Sequence, residues 1–382
     1  MTLLIFILVL SVLVLIHEFG HYLVARKNGI RVKEFGLGYP PRVLKLFHYR
    51  GTDFTLNLIP LGGFVQLEGE DGPDDEEEKT ATIPLANKYG KAFFAASTKA
   101  KLLTVLAGII ANLLFAVVAF TFIFSKTGIP FSLSNQARIS EVSPGSPAAT
   151  AGLQANSNIL ALKSSEGDWQ TVSQIAEVQD FVKAHQGEQI WLRSITDCQV
   201  ETCSGPTEEK ELYLRLPEEV PQGEGSMGVI FMDTYTRWYP WYQMPFVSAY
   251  YGTRQALELV LLILQSLGTL LVSLFQGQSV ADEVAGPVGI VHQASEYGYF
   301  SGGFLSILNF AALLSVNLGI MNLLPIPALD GGRAVFLILE HFFPQKKMKK
   351  ISQYANSIGF MLLLFLMFLI SVHDVWRIFA AQ

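Results

Sequence analysis

Long apolar stretches without charge constrain this 382-residue chain more than any other feature. Four of them contain no Lys, Arg, Asp or Glu and are apolar enough for membrane helices; they are residues 2–16, 102–124, 304–329 and 351–372. The first reaches a spanning length when it is extended to residue 25. Charged residues make up only 16% of the chain, against about 25% in soluble domains. The sequence therefore predicts a polytopic α-helical membrane protein and excludes disordered or collagen-like chains.

Four transmembrane helices are expected, over residues 1–25, 101–125, 301–333 and 351–373. A fifth apolar stretch, residues 256–275, carries Glu258, Gln265 and Ser266, so hydropathy alone leaves spanning and interfacial placements open. The net charge of −6 gives no attraction to nucleic acid, and the lipid bilayer is the expected partner.

The distribution of basic residues predicts the orientation. Twelve Lys and Arg residues lie between residues 26 and 101, and four Lys residues precede the last apolar stretch. Residues 126–237 instead hold eight basic and fifteen acidic residues. By the positive-inside rule, segments 26–100 and 334–350 are predicted to be cytoplasmic and segment 126–236 to be extracytoplasmic.

The segments between the helices have the patterns of soluble structure. Residues 52–67 alternate in polarity around Pro-Leu-Gly-Gly, which predicts a β-hairpin that is either structural or an edge for an extended substrate. Residues 68–78 hold eight acidic residues and predict a solvated linker. Residues 126–236 predict one compact α/β domain, in which Cys198 and Cys203 are either a hairpin disulfide or free thiols.

The chemical signal is His17-Glu18-Phe19-Gly20-His21, which matches H-E-x-x-H. Its i, i+4 spacing places both imidazoles on one helical face, where two neutral nitrogens can bind zinc and Glu18 can take a proton from water. Ionisable groups at membrane depth are costly and usually functional. Two structurally satisfied histidines at a helix end are the alternative.

A third ligand is expected from another helix at the same depth, and Asp330 is the candidate. Pro325 and Pro327 precede it and break the helix, while Gly331 and Gly332 permit unusual backbone angles. Irregular backbone is tolerated within a membrane where it lines a protein cavity. An Asp in a turn at a helix end is the plainer interpretation.

At this point the chain resembles the site-2 protease family of intramembrane zinc metalloproteases, in the bacterial form with an inserted PDZ domain. Besides H-E-x-x-H and the Pro-rich stretch ending at Asp330, the motifs that carry the resemblance are Phe35-Gly36-Leu37-Gly38, Pro60-Leu61-Gly62-Gly63-Phe64 and Gly108-Ile109-Ile110-Ala111-Asn112. The segment beginning Ser143-Pro144-Gly145 is similar to a PDZ domain. Where relatives usually have Gly-Asp before the next strand, this chain has Asn156-Ser157-Asn158. The resemblance therefore supports the PDZ fold of this domain more strongly than peptide binding by it.

The resemblance implies residue roles. His17, His21 and Asp330 would bind Zn²⁺, and Glu18 would be the base that activates the water on the metal. Asn322 and Asn112 would hold the substrate backbone or the developing oxyanion. The hairpin would associate with the membrane and present the substrate strand, so that the expected substrate-binding residues are Gly62, Gly63, Phe64, Pro325 and Pro327.

The expected geometry decides the fifth apolar stretch. Asp330 must reach the cytoplasmic end of the first helix, which it does only if residues 256–275 do not cross. The region 237–300 is therefore predicted to contain an interfacial amphipathic helix, which leaves four crossings.

The expected function is regulated intramembrane proteolysis in the bacterial inner membrane. The active site would lie near the cytoplasmic side, and the partner would be a membrane-spanning protein such as a single-pass anti-sigma factor or a signal-peptide remnant. A metal transporter and an inert scaffold that docks through its PDZ-like domain are the alternatives. Neither needs a base between two histidines.

Overall fold

The computed structural model describes residues 2–70, 91–133, 136–199, 202–221, 223–277, 286–343 and 345–380. The chain divides into two compact units, one formed by residues 1–126 and 241–382 and the other by residues 127–240. Most of the predicted acidic linker, residues 71–78, lies outside the described residues.

The first unit is built from long apolar helices. They are α1 (Thr2–Lys27), α2 (Thr98–Thr127), α5 (Met244–Phe275), α6 (Pro287–Glu296), α7 (Phe304–Leu323), α8 (Asp330–Leu339) and α9 (Gln345–Ala380). Within the described residues, α1, α2, α5, α7 and α9 are long and apolar enough to cross a membrane. The protein is a multi-pass membrane protein. The count of four crossings is not confirmed, because α5 also qualifies and begins at Met244; its interfacial placement stays a prediction.

Small residues let these helices approach closely. A Cβ on Gly20 of α1 would lie 2.4 Å from the carbonyl oxygen of Ala107 on α2, and one on Gly252 of α5 would lie 2.7 Å from the Thr121 backbone nitrogen. Close backbone approach at glycine is a common device of helix packing in membranes, where van der Waals contact replaces the hydrophobic effect as the driving force. The result fixes α1 against α2 at the level of the HExxH motif.

The hairpin differs from its prediction. Residues 52–67 do not pair with themselves; they form one strand, β2 (Thr52–Leu67), whose partner is β1 (Val32–Tyr49). The chain reverses at Arg50 and Gly51, which both have positive φ, as a two-residue hairpin turn of type I′ requires. The strand β2 also reverses direction near Gly62, which has positive φ, because residues 35–37 of β1 lie opposite residues 54–56 in rising order on one side and opposite residues 65–63 in falling order on the other. The predicted change of direction within 52–67 is therefore present, but the predicted hairpin is wrong in its pairing, because both arms pair with β1 and not with each other.

The strand pairing in this sheet places one segment, residues 63–67, at an edge. Phe35 of β1 lies opposite both Val65 and Phe54 of β2, so the first half of β1 runs between two segments of β2. Residues 63–67 consequently have a strand partner on one side only, within the described part of the chain. Their other side offers backbone groups for strand addition.

Helix α7 ends at Leu323, before Pro325 and Pro327, as the prolines predict. A second helix, α8, then begins at Asp330. The sequence predicts a spanning helix to residue 333 and then the loop 334–350; that loop prediction is wrong over 334–339, which lie in α8, and over 345–350, which lie in α9. The apolar residues of α8 recur on one face, and Ala334 and Leu337 are buried.

The second unit contains a sheet of strand order β8-β7-β5-β4-β9, with β6 paired to β5. The strands of this sheet are β4 (Ala137–Val142), β5 (Asn158–Ser164), β6 (Gln170–Thr171), β7 (Gln189–Ile195), β8 (Thr207–Tyr213) and β9 (Val229–Met232). A separate pair is formed by β3 (Ile129–Ser132) and β10 (Thr234–Arg237). The helices of this unit are α3 (Pro147–Thr150) and α4 (Ile175–Ala184). Ile139, Leu162 and Leu192 are fully buried in its core. Cys198 and Cys203 form a disulfide, the first of the two alternatives that the sequence leaves open. The PDZ-like fold stays a prediction.

Candidate metal centre

Three side chains distant in sequence meet at one point. His17 and His21 lie one turn apart on α1, with their Nε2 atoms 3.1 Å from each other. Asp330, at the first position of α8, places Oδ2 2.9 Å from the Nε2 of His17 and 3.2 Å from that of His21. The prolines end α7 so that the chain turns back and begins α8 with this carboxylate facing α1.

Neighbouring groups select the histidine tautomers. The Nδ1 atom of His21 lies 2.8 Å from the carbonyl oxygen of Thr104, which can only accept, so Nδ1 carries the proton and Nε2 keeps its lone pair. Asn112 is buried, with its amide nitrogen 3.4 Å from the Nδ1 of His17 and its Oδ1 without a hydrogen bond. Turning this amide by 180° lets Oδ1 accept the Nδ1 proton of His17, which frees Nε2.

The arrangement fits a zinc ion. Two imidazole lone pairs and a carboxylate oxygen facing one another at 2.9–3.2 Å repel unless a proton or a metal ion lies between them, and Asp330 Oδ2 is buried without a hydrogen bond. Ligands about 2.0–2.1 Å from a tetrahedral zinc ion lie about 3.3 Å apart, close to these distances. Within the described residues, His17, His21 and Asp330 form a group that could hold a metal ion, and three ligands would leave a fourth position for water or substrate.

Gly108 explains how α2 reaches the site. A Cβ at this position would lie 2.4 Å from the Nε2 of His21 and 2.7 Å from the Nε2 of His17. Only glycine leaves room for both imidazoles against the helix backbone. Its place four residues before Asn112 puts both residues on the face of α2 that packs against the histidines.

Glu18 lies half-buried beside His17, on the side of the β-sheet. A Cβ on Gly63 would lie 3.6 Å from Cγ of Glu18 and 3.3 Å from Leu15, so the edge segment of β2 passes next to the carboxylate. Phe64 follows, and its ring covers Gly36 of β1. An extended chain added to this edge would run beside Glu18.

The remaining predicted residues lie around the loop between α7 and α8. Asn322 is partly exposed in the last turn of α7, and Pro325 is exposed. Pro327 is partly buried against α9, where a Cβ on Gly359 would lie 2.8 Å from its carbonyl oxygen. None of these three supplies a ligand atom to the group formed by His17, His21 and Asp330.

Comparison with known families agrees with this chemistry. The model of peptidase family M50 matches residues 5–366, which is most of the chain. The chain belongs to peptidase family M50. As an M50 peptidase of the site-2 protease type, it is a zinc metalloprotease.

Several relatives match this M50 peptidase over nearly the whole length of both chains. The zinc metalloprotease RasP of Geobacillus kaustophilus is 27% identical over 448 residues, covering 98% of this chain and 97% of its own. A Clostridium acetobutylicum protein named as a candidate zinc metalloprotease is 30% identical, covering 97% of this chain and 96% of its own. A candidate of the same kind from Helicobacter pylori is also 30% identical.

Among solved structures, the PDZ domain of a carboxy-terminal protease from Vibrio cholerae matches 24% of this chain and 94% of its own, at 15% identity. Its TM-score of 0.19 is too low to support an argument about the second unit of this M50 peptidase.

Sequence reasoning missed several residues of the M50 site. Thr104 offers a backbone carbonyl, which no residue type signals. Arg333 forms an ion pair with Glu70, linking α8 to the turn after β2. Asn356 on α9 contacts the loop before Asp330. The signal that could have pointed to Asn356 is a polar amide within the apolar stretch 351–372.

Proposed function

We propose that this metalloprotease hydrolyses a peptide bond within or next to the transmembrane segment of a membrane-anchored protein. The observation that carries the proposal is the meeting of His17, His21 and Asp330 around one point, with Glu18 beside it. The histidines and Glu18 lie on α1, which is apolar enough to lie in a bilayer, and Asp330 begins α8 shortly after α7, which is also apolar enough. Polar groups of this kind are costly at membrane depth unless they serve chemistry.

The chain divides the chemical work among its own residues. His17, His21 and Asp330 would hold zinc, which when bound polarises a carbonyl and makes a water molecule more acidic. Glu18 takes the proton of the attacking water and later returns it to the leaving amine. The family resemblance implies that Asn112 shares with Asn322 the contact to substrate or oxyanion, but Asn112 is buried against His17, so we assign it the orientation of that imidazole. Asn322 then supplies an amide to the substrate backbone or the developing oxyanion.

The edge of β2 is the proposed binding place for the scissile segment. A helical substrate hides its carbonyls in backbone hydrogen bonds, so it must unwind before hydrolysis. The edge at residues 63–66 has no strand partner on its outer side in the described part of the chain and offers replacement hydrogen bonds next to Glu18. Gly62, Gly63 and Phe64 form the start of this edge, and Pro325 and Pro327 shape the loop that carries Asp330.

The positive-inside rule supports a site near the cytoplasmic side of a bacterial inner membrane and an extracytoplasmic PDZ-like unit. The substrate class that fits is a single-pass protein, such as an anti-sigma factor or a signal-peptide remnant.

Glu18→Gln tests the role of the base. The variant keeps the shape of the side chain and all three metal ligands, so we expect wild-type zinc content with cleavage of a single-pass substrate reduced about 10²–10⁴-fold. Glu258→Gln, on the exposed face of α5, is the matched control and should cleave normally. An unchanged cleavage rate in Glu18→Gln would eliminate this base.

A further inference from the structure

The loop that precedes Asp330 holds an unfavourable backbone conformation. Ala328 has φ of 75°, in the left-handed region that residues with a Cβ disfavour. Such a conformation persists only when surrounding contacts enforce it. Asp330 follows two residues later, so the direction of the chain at Ala328 determines where its carboxylate points.

A side chain from α9 supplies one such contact. The backbone N–H of Ala328 donates to Oδ1 of Asn356 at 3.1 Å. Because a backbone N–H can only donate, the amide must present its oxygen here. The amide nitrogen then faces Oγ of Ser352, one turn earlier on α9, at 3.5 Å. Both the oxygen and the nitrogen of the Asn356 amide therefore have a hydrogen-bond partner.

Glycine brings α9 close enough for this contact. Gly359 lies three residues after Asn356, on the same helical face. A Cβ on Gly359 would lie 2.8 Å from the carbonyl oxygen and 3.0 Å from the carbonyl carbon of Pro327. Helix α9 thus contacts two successive residues of the loop. Gly359 packs against the Pro327 carbonyl, and Asn356 accepts a hydrogen bond from Ala328.

We propose that Asn356 is a positioning residue for the metal site: it holds Ala328 in its left-handed conformation and thereby aims Asp330 at His17 and His21. This inference rests on the proposed zinc site. Without the acceptor, Ala328 relaxes towards negative φ, and the carboxylate moves away from the imidazoles. Metal–ligand distances tolerate only about ±0.2 Å, so a small reorientation weakens binding.

The test is zinc affinity of the detergent-purified full chain, measured by chelator competition, together with the visible spectrum of the cobalt(II)-substituted protein. Asn356→Leu preserves side-chain size but removes the acceptor, and we expect about 10–100-fold weaker binding and an altered cobalt spectrum. Asn356→Asp keeps an oxygen acceptor and should bind within about threefold of wild type. Gln353→Leu, an exposed amide on the same helix, is the matched control and should change nothing.

Each outcome is decisive. Wild-type affinity and spectrum in Asn356→Leu overturn the inference, as does an equal loss in Gln353→Leu. If Asn356→Leu does not fold, Asn356→Asp decides, because loss of affinity in that variant contradicts a role that needs only the acceptor oxygen.

Asp330→Ala, measured in parallel, separates this inference from the proposed function. Unchanged zinc affinity in Asp330→Ala refutes the metal site itself. Weakened zinc in Asp330→Ala with unchanged zinc in Asn356→Leu refutes only the positioning role.

Discussion

Gly108→Ala should disrupt the metal site by adding a single methyl group. The new Cβ would lie 2.4 Å from the Nε2 of His21 and 2.7 Å from that of His17, whereas ordinary contact begins near 3.4 Å. The imidazoles must therefore shift by about 1.0 Å and 0.7 Å, several times the roughly 0.2 Å that metal coordination tolerates. We expect zinc affinity to fall at least 10–100-fold, which corresponds to about 1.4–2.8 kcal/mol.

Helix stability cannot account for such a loss, since Gly→Ala in a helix interior is favourable by about 1 kcal/mol. The assay is chelator competition on the purified protein, with cleavage of a single-pass substrate measured in parallel. Gly268→Ala is the matched control, because a Cβ at that position of α5 meets nothing within 4 Å. Wild-type zinc affinity in Gly108→Ala would refute the close approach of α2 to the histidines.

Three further predictions test the edge strand, the disulfide and the link between α8 and the sheet. In Gly63→Val, the Cβ would lie 2.8 Å from a carbonyl oxygen of β1, so substrate cleavage should fall at least tenfold with zinc unchanged; normal cleavage would exclude this edge from substrate binding. Replacing Cys198 and Cys203 by Ala removes a short covalent loop and should lower local stability by about 2 kcal/mol, seen as faster amide exchange in β7 and β8; unaltered exchange would contradict this. Arg333→Glu should slow cleavage by breaking the ion pair with Glu70, and adding Glu70→Arg should restore it; failure of the double variant to recover would assign the loss to another contact.

The grouping of His17, His21 and Asp330 was predictable because it depends on few rules. Helical periodicity alone places His17 and His21 on one face, and two prolines end α7 where the chain must turn inward before Asp330. The structure brings these three residues together across more than three hundred positions of sequence. The cost of polar groups among apolar residues supplied the remaining signal.

Features that depend on pairing between distant segments were harder to predict. The alternation in residues 52–67 indicates a strand correctly, but it does not identify β1 as its partner; the positive φ at Arg50 carries no strong sequence signal. Helix α8 was missed because two prolines and two glycines suggest an irregular segment. Its first turn forms because Gly331 and Gly332 pack directly against the carbonyls of the preceding loop.

Zinc K-edge X-ray absorption of the purified protein tests the central claim most directly. We predict a first shell of nitrogen and oxygen ligands at about 2.0–2.2 Å with the signature of two imidazoles, and the loss of one oxygen ligand in Asp330→Ala. An identical first shell in wild type and Asp330→Ala, or sulfur at about 2.3 Å, would show that the metal lies elsewhere.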